Sequence, residues 1–184
     1  MTIMTPFPKA ATLGITAKLL RAARDRIEAG ELAFGQGYDR RQSLLIVVGE
    51  GSAEPEINAL TAKFTRMLWE GMSFGWAETG YGEIARPSLG ECLEQAPALG
   101  LQRVIVFPWI LLNPPLTGQI QDMVATYLQA HEENEIVVAS PLDNYPLLLE
   151  SLLERLYQAE HGSDAMNCQF CRYREVSAAD LGES

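Results

Sequence analysis

The sequence predicts an α/β protein built on a parallel four-stranded sheet with helices on both faces. Three observations predict it. Leu44-Leu-Ile-Val-Val-Gly49, Val104-Ile-Val-Phe-Pro-Trp-Ile and Ile136-Val-Val-Ala are short apolar runs rich in β-branched residues. That is the pattern of strands buried on both faces. Segments with apolar residues at helical spacing separate the runs, so the order from Leu44 onward is β-α-β-α-β-α-β-α. The chain has 184 residues, 47% of them hydrophobic and 21% charged, which suits one domain with a substantial core.

Each element has a local cause. Residues 1–11 contain prolines and read as irregular. Ile15 to Ala29 carries Leu19, Leu20, Ala23 and Ile27 at helical spacing, and Gly30 is placed to end that helix. Gly35, Gly37 and the run Tyr38–Ser43 read as a loop. The first strand, Leu44–Gly49, leads into the turn Glu50-Gly-Ser-Ala-Glu-Pro. There Ser52 is positioned to cap a helix with Pro55 in its first turn. Ile57, Leu60, Phe64, Met67 and Leu68 give that helix an apolar face, and it ends near Gly71. Trp76 to Ile84 is a weaker strand, interrupted by Gly80 and Gly82. A helix from Pro87 to about Ala98 follows, then the strand from Val104. Asn113-Pro-Pro-Leu-Thr-Gly breaks the chain before a helix from Gln119 to His131. After the strand at Ile136, Asp143-Asn-Tyr-Pro leads into a last helix, Leu147 to Ala159. The chain thus divides into residues 1–43, with one helix, 44–160, the α/β domain, and 161–184, a polar tail.

Charge and cysteine usage narrow the function. With 14 Lys and Arg against 24 Asp and Glu, the net charge is −10. Such a field repels phosphate backbones and anionic lipid, which argues against nucleic acid and membrane surfaces as partners. The most apolar segment, Val104 to Leu116, is too short for the ~20 residues of a membrane span. Met1 to Pro8 has no apolar stretch of the secretory kind. Three cysteines, one isolated and two in a Cys-x-x-Cys pair, point to a reducing cytoplasm.

Ligands of such sheets bind beyond the carboxyl ends of the strands. That edge holds Glu50 to Ser52, Glu83 to Arg86, Pro108 to Pro115 and Pro141 to Tyr145. Gly49-Glu-Gly-Ser52 lacks both the lysine of a P-loop and the spacing of a dinucleotide loop. It reads equally as a tight turn or as a carboxylate with exposed N–H groups. Glu50 and Glu83 end adjacent strands, where two carboxylates together can bind a divalent cation, share a proton or supply a general base. Neither histidine reaches this edge: His131 ends a helix and His161 lies in a polar linker. A Ser-His-Asp or Cys-His arrangement is therefore unsupported. Cys92 reads as a small buried hydrophobe. Cys168-Gln-Phe-Cys171, beside Arg172 and Arg174, is open to three readings: a redox pair, half a zinc or iron–sulfur site completed across a dimer, or a chance spacing.

Taken in order, the motifs resemble a known family. Val47-Val-Gly-Glu-Gly-Ser-Ala-Glu-Pro-Glu-Ile-Asn58 resembles the first strand and loop of sirohydrochlorin cobaltochelatases, the class II metal-inserting enzymes of cobalamin biosynthesis. Glu83-Ile-Ala-Arg-Pro-Ser-Leu is similar to their Glu-x-x-x-Pro-Ser segment. Arg103-Val-Ile-Val-Phe-Pro-Trp-Ile-Leu-Leu resembles their third strand, and Ser140-Pro-Leu-Asp-Asn-Tyr-Pro-Leu-Leu their Pro-Leu-Gly-x-x-Pro-Leu-Leu segment. Leu68-Trp-Glu-Gly and Met166 to Arg174 resemble the C-terminal repeat and tail of the long, two-repeat members. Thr12 to Ile27 resembles the last helix of a preceding repeat.

The resemblance implies a chelatase-like, flavodoxin-like fold and insertion of a divalent metal, Co²⁺, into sirohydrochlorin. It implies catalytic and metal-contacting roles for Glu50 and Glu83, and substrate contacts at Gly51, Ser52, Arg86, Pro114 and Pro115. It leaves Cys168 and Cys171 as a separate tail site for zinc or an iron–sulfur cluster. It also implies a homodimer or pairing with a catalytic chelatase half. The family's metal-binding histidine in Gly-His-Gly-Ser is Glu50 here. The second histidine of short members falls, by an ungapped count from Pro108, on Leu116. The two-repeat members also lack the first histidine in their C-terminal repeat. A non-catalytic chelatase-like partner or tetrapyrrole-binding module is therefore the alternative reading.

Overall fold

The computed structural model describes residues 14–35, 39–101, 103–110, 113–132, 135–143 and 145–160. Cys168, Cys171 and His161 lie outside them. The elements are α1 (Ala17–Ala33), β1 (Ser43–Gly49), α2 (Pro55–Met72), β2 (Trp76–Tyr81), α3 (Leu89–Gln95), β3 (Arg103–Trp109), α4 (Pro114–Ala130), β4 (Glu135–Val138) and α5 (Pro146–Glu160). A 3₁₀ turn, Ala96–Leu99, continues α3. All four strands are parallel, in the order β2-β1-β3-β4. This is the architecture the apolar runs predict.

Side chains on β1 and β3 alternate between two separate cores, as a pleated strand requires. Leu45, Val47, Ile105 and Phe107 face α1, α2 and α5, where they meet Leu19, Ile27, Phe64, Leu68 and Leu148. Leu44, Ile46, Val48, Val104 and Val106 face α3 and α4, against Leu89, Leu93, Leu116, Ile120 and Val124. Each large aliphatic side chain so buried stabilises the fold by about 1.5–3 kcal/mol relative to exposure. Because β1 connects outward to β2 and β3 connects outward to β4, the strand order reverses direction between β1 and β3. In open α/β sheets, such a switch point is where ligands bind.

Several boundaries differ from expectation. Helix α1 runs past Gly30 to Ala33, because Gly30 packs against β4. A Cβ there would stand 3.2 Å from Val137 Cγ1. Glycine serves close approach at this position and does not terminate the helix. Ser52 does not cap α2. The N-cap residue is Glu54, and the Ser52 hydroxyl instead accepts the Glu54 N–H at 3.0 Å. The Pro114-Pro115 pair begins α4 rather than breaking the chain before it. Asn113 caps the helix through Leu116 N–H, and proline in a first turn lacks only an N–H that would be unpaired anyway. Strand β2 stops at Tyr81, where Gly82 and Glu83 turn back toward the loop after β1.

Candidate active site

The loop after β1 starts from a buried strand end and emerges at the sheet edge. Gly49 pairs in register with Tyr81 on one side and Trp109 on the other. A side chain at Gly49 would meet Thr61 Oγ1 at 2.9 Å, so helix α2 crosses close over the strand end. Gly51 takes φ of +93°, a conformation that L side chains rarely adopt, and turns the chain sharply there. The space a Cβ would need at Gly51 is taken by Ala85 and Tyr81. The β1 loop therefore lies directly on the β2 loop.

That contact brings the two predicted carboxylates together by their backbones. Gly82 N–H donates to Gly49 C=O at 2.9 Å, and Glu83 N–H donates to Glu50 C=O at 3.0 Å. Both side chains are exposed. Leu116 is buried against the same loop. A Cβ on Gly82 would fall 2.7 Å from its Cδ1. An aliphatic side chain thus fills the space beside Glu83, as part of the α3/α4 core. Among the described residues, no group of three or more His, Cys, Asp or Glu side chains is placed to hold a metal ion.

A cleft of about 510 Å³ opens on the α1/α2 side of these loops. Its walls include Glu50, Gly51 and Ser52 from the β1 loop, Ile57, Asn58 and Thr61 from α2, and Trp109 from the end of β3. Trp109 is held by stacking on the fully buried Phe64, with ring centroids 3.8 Å apart. Ile57 is 44% exposed, an apolar side chain turned to the cleft mouth. Glu50, Gly51 and Ser52 line this cleft; Glu83, Arg86, Pro114 and Pro115 stand outside its walls. Arg86 is largely exposed, with Nη1 2.7 Å from Glu91 Oε1. The Arg86 guanidinium, helped by the Ser88 N–H that donates to Glu91 Oε2 at 2.6 Å, holds the Glu91 carboxyl at about 2.

Sequence reasoning did not single out Asn58, nor Trp109 within the edge segment Pro108 to Pro115. The signals were an asparagine, a poor helix former, one turn into α2, and a large aromatic at the ligand-facing end of a buried strand. Cys92 is buried as expected beneath Gly80, and burial pushes its thiol up to about 12. His131 forms the C-cap of α4 and stacks on Tyr127, with ring centroids 4.3 Å apart.

Comparison with known proteins agrees with this fold. The chain is 30% identical over 163 residues to a Priestia megaterium protein named sirohydrochlorin cobaltochelatase, covering 88% of this chain and 52% of that one. It is 23% identical over 136 residues to a Methanopyrus kandleri protein of the same name, covering 62% of this chain and 95% of that one. The fold is shared with SirB from Bacillus subtilis, whose structure was determined with Fe³⁺, at a TM-score of 0.65 and 16% identity. That alignment covers 82% of this chain and 58% of SirB. The chain thus spans about half the length of the Priestia relative and of SirB. Residues 44–159, from the start of β1 almost to the end of α5, match the CbiX family as a whole, and the chain belongs to that family.

Proposed function

We propose that this chain is a chelatase unit that inserts, or helps to insert, a divalent metal into sirohydrochlorin in tetrapyrrole biosynthesis, with Co²⁺ as the metal. The observation that carries this reading is the family match over residues 44–159, which includes both carboxylates and most of the cleft. The name of the Priestia relative supports both the tetrapyrrole and the metal. Metal insertion exchanges two pyrrole N–H protons for one M²⁺. It needs a transient metal contact and proton acceptors, and exposed carboxylates supply both. Glu50 and Glu83 take these roles. An all-carboxylate contact holds Co²⁺ less tightly than imidazole, which suits a metal that must be handed on.

The apolar wall of Ile57, Leu60 and Trp109 receives the macrocycle face, while Gly51 and Ser52 border its edge. Arg86 is the nearby cation for a substrate carboxylate. Its pair with Glu91 is solvent-exposed, so exchanging that partner costs little. Pro114 and Pro115 shape the neighbouring loop. The reading also pairs this half-length chain with a second copy or with a catalytic chelatase half, in the cytoplasm. It assigns Cys168 and Cys171 to a separate zinc or iron–sulfur site. Loss of bound metal in the double Cys→Ser variant tests that assignment.

The decisive experiment mixes the purified chain with sirohydrochlorin and Co²⁺ anaerobically and follows the absorption spectrum. Metal insertion above the rate without protein is expected, and Glu50→Ala should abolish it. Glu50 is exposed, so its removal should change stability by no more than about 0.5 kcal/mol. Insertion at an unchanged rate in Glu50→Ala would remove Glu50 from the mechanism. A shifted spectrum without insertion would make the chain a tetrapyrrole-binding partner, and no spectral change would overturn the reading.

A further inference from the structure

Helix α2 reaches back to the β1 loop through one side chain. The Asn58 carboxamide makes a matched pair of hydrogen bonds with the main chain of Ser52. Its Oδ1 accepts Ser52 N–H at 2.9 Å, and its Nδ2 donates to Ser52 C=O at 2.8 Å. The Asn58 carbonyl in turn accepts the Tyr81 hydroxyl at 2.9 Å. Tyr81 is buried at the end of β2, and burial pushes its phenol up, so it remains a donor. Asn58 therefore ties together the β1 loop, the first turns of α2 and the end of β2. These are the three pieces that place Glu50 beside Glu83.

We propose that Asn58 is a positioning residue of the active site, acting through the main chain of Ser52 to fix the loop that carries Glu50. The inference rests on the metal-insertion reading given above. Three features make the clamp more than a turn ornament. Gly51 sits in a left-handed conformation between Glu50 and the clamped residue, so the loop has a conformational alternative to be held against. Asparagine is a poor choice inside a helix unless its side chain has a partner, and here every polar atom of the carboxamide faces one. Asn58 also lines the cleft, so the clamp is formed on the ligand side of the loop. Two neutral hydrogen bonds at their usual net strength bias the loop toward the clamped state by about thirty-fold.

The test compares Asn58→Ala and Asn58→Asp with the unaltered chain. Aspartate keeps the size and the acceptor for Ser52 N–H but loses the donor to Ser52 C=O. Hydrogen exchange at the Ser52 amide reads the clamp, and anaerobic Co²⁺ insertion into sirohydrochlorin reads its consequence. Asn58→Ala should speed Ser52 exchange and lower kcat about ten- to thirty-fold, with a much smaller change in KM. Asn58→Asp should be impaired at neutral pH and recover relative to the unaltered chain as pH falls, because protonation restores the donor. A merely structural role would lower the melting temperature and the folded fraction without lowering kcat per folded chain, which a thermal melt of each variant reads. Unchanged Ser52 exchange in Asn58→Ala would overturn the clamp. Faster exchange with an unchanged kcat would overturn the positioning role. If the unaltered chain neither binds nor metallates sirohydrochlorin, the metal-insertion reading fails, and Ser52 exchange still judges the clamp.

Discussion

The tightest contact near the site makes a quantitative prediction. Gly82 precedes Glu83, and its α-carbon faces Leu116. A Cβ built on Gly82 meets Leu116 Cδ1 at 2.7 Å, Cδ2 at 3.1 Å and Cγ at 3.2 Å. Leu116 is only 2% exposed and packs in the α3/α4 core, so it has little room to turn away. Gly82→Ala should therefore cost about 1–3 kcal/mol through overpacking. Restriction of the unfolded chain returns about 0.4–1 kcal/mol, leaving a net loss of about 0.5–2 kcal/mol. Leu116→Ala alone removes a buried leucine and should cost about 2–5 kcal/mol. In the double variant the clash has no partner, so Gly82→Ala becomes neutral or mildly stabilising in that background. A double-mutant cycle by urea denaturation, at constant m-value, should thus show a coupling of about 1–3 kcal/mol. Additivity within about 0.5 kcal/mol would refute the reasoning. It would show that the loop before Glu83 yields freely and that Leu116 does not set its position.

Two further predictions follow from the site's supports. Phe64→Ala removes a fully buried ring from beneath Trp109 and should cost about 3–5 kcal/mol, with a change in tryptophan emission; calorimetry and fluorescence check both. The Arg86 guanidinium holds the folded Glu91 carboxyl well below its ordinary range, at about 2. Its contribution is therefore present above its unfolded pKa and lost as pH falls from about 4.5 toward 2. In Arg86→Ala, an NMR titration should find the Glu91 carboxyl moved back up only in part, because the Ser88 N–H still donates to it.

The sequence by itself determined the elements and their class. Continuous β-branched runs cannot be half-exposed, so β1 and β3 had to be buried parallel strands, and the helical spacing of Phe64 and Leu68 follows from the same local logic. Glycine and proline were harder to read, because their meaning depends on what lies across from them. Gly30 reads locally as a helix end and proves to be a point of contact with Val137. Pro114-Pro115 reads as a break and proves to be a helix start.

The candidate site divides in the same way. That Glu50 and Glu83 end strands was legible; that Glu83 N–H bonds to Glu50 C=O required the strand order β2-β1-β3-β4. Arg86 was legible as a cation, but its pairing with Glu91 depends on how the loop enters α3. The resemblance pointed to the Leu116 position, and only packing shows that an aliphatic core occupies it. Asn58 escaped the sequence because nothing in its neighbours reveals a partner six residues back and another twenty-three ahead. Periodicity records which face of an element is buried, a property of the chain nearby. Clamps, pairs and clefts arise where segments distant in sequence meet, and tertiary structure alone decides those meetings.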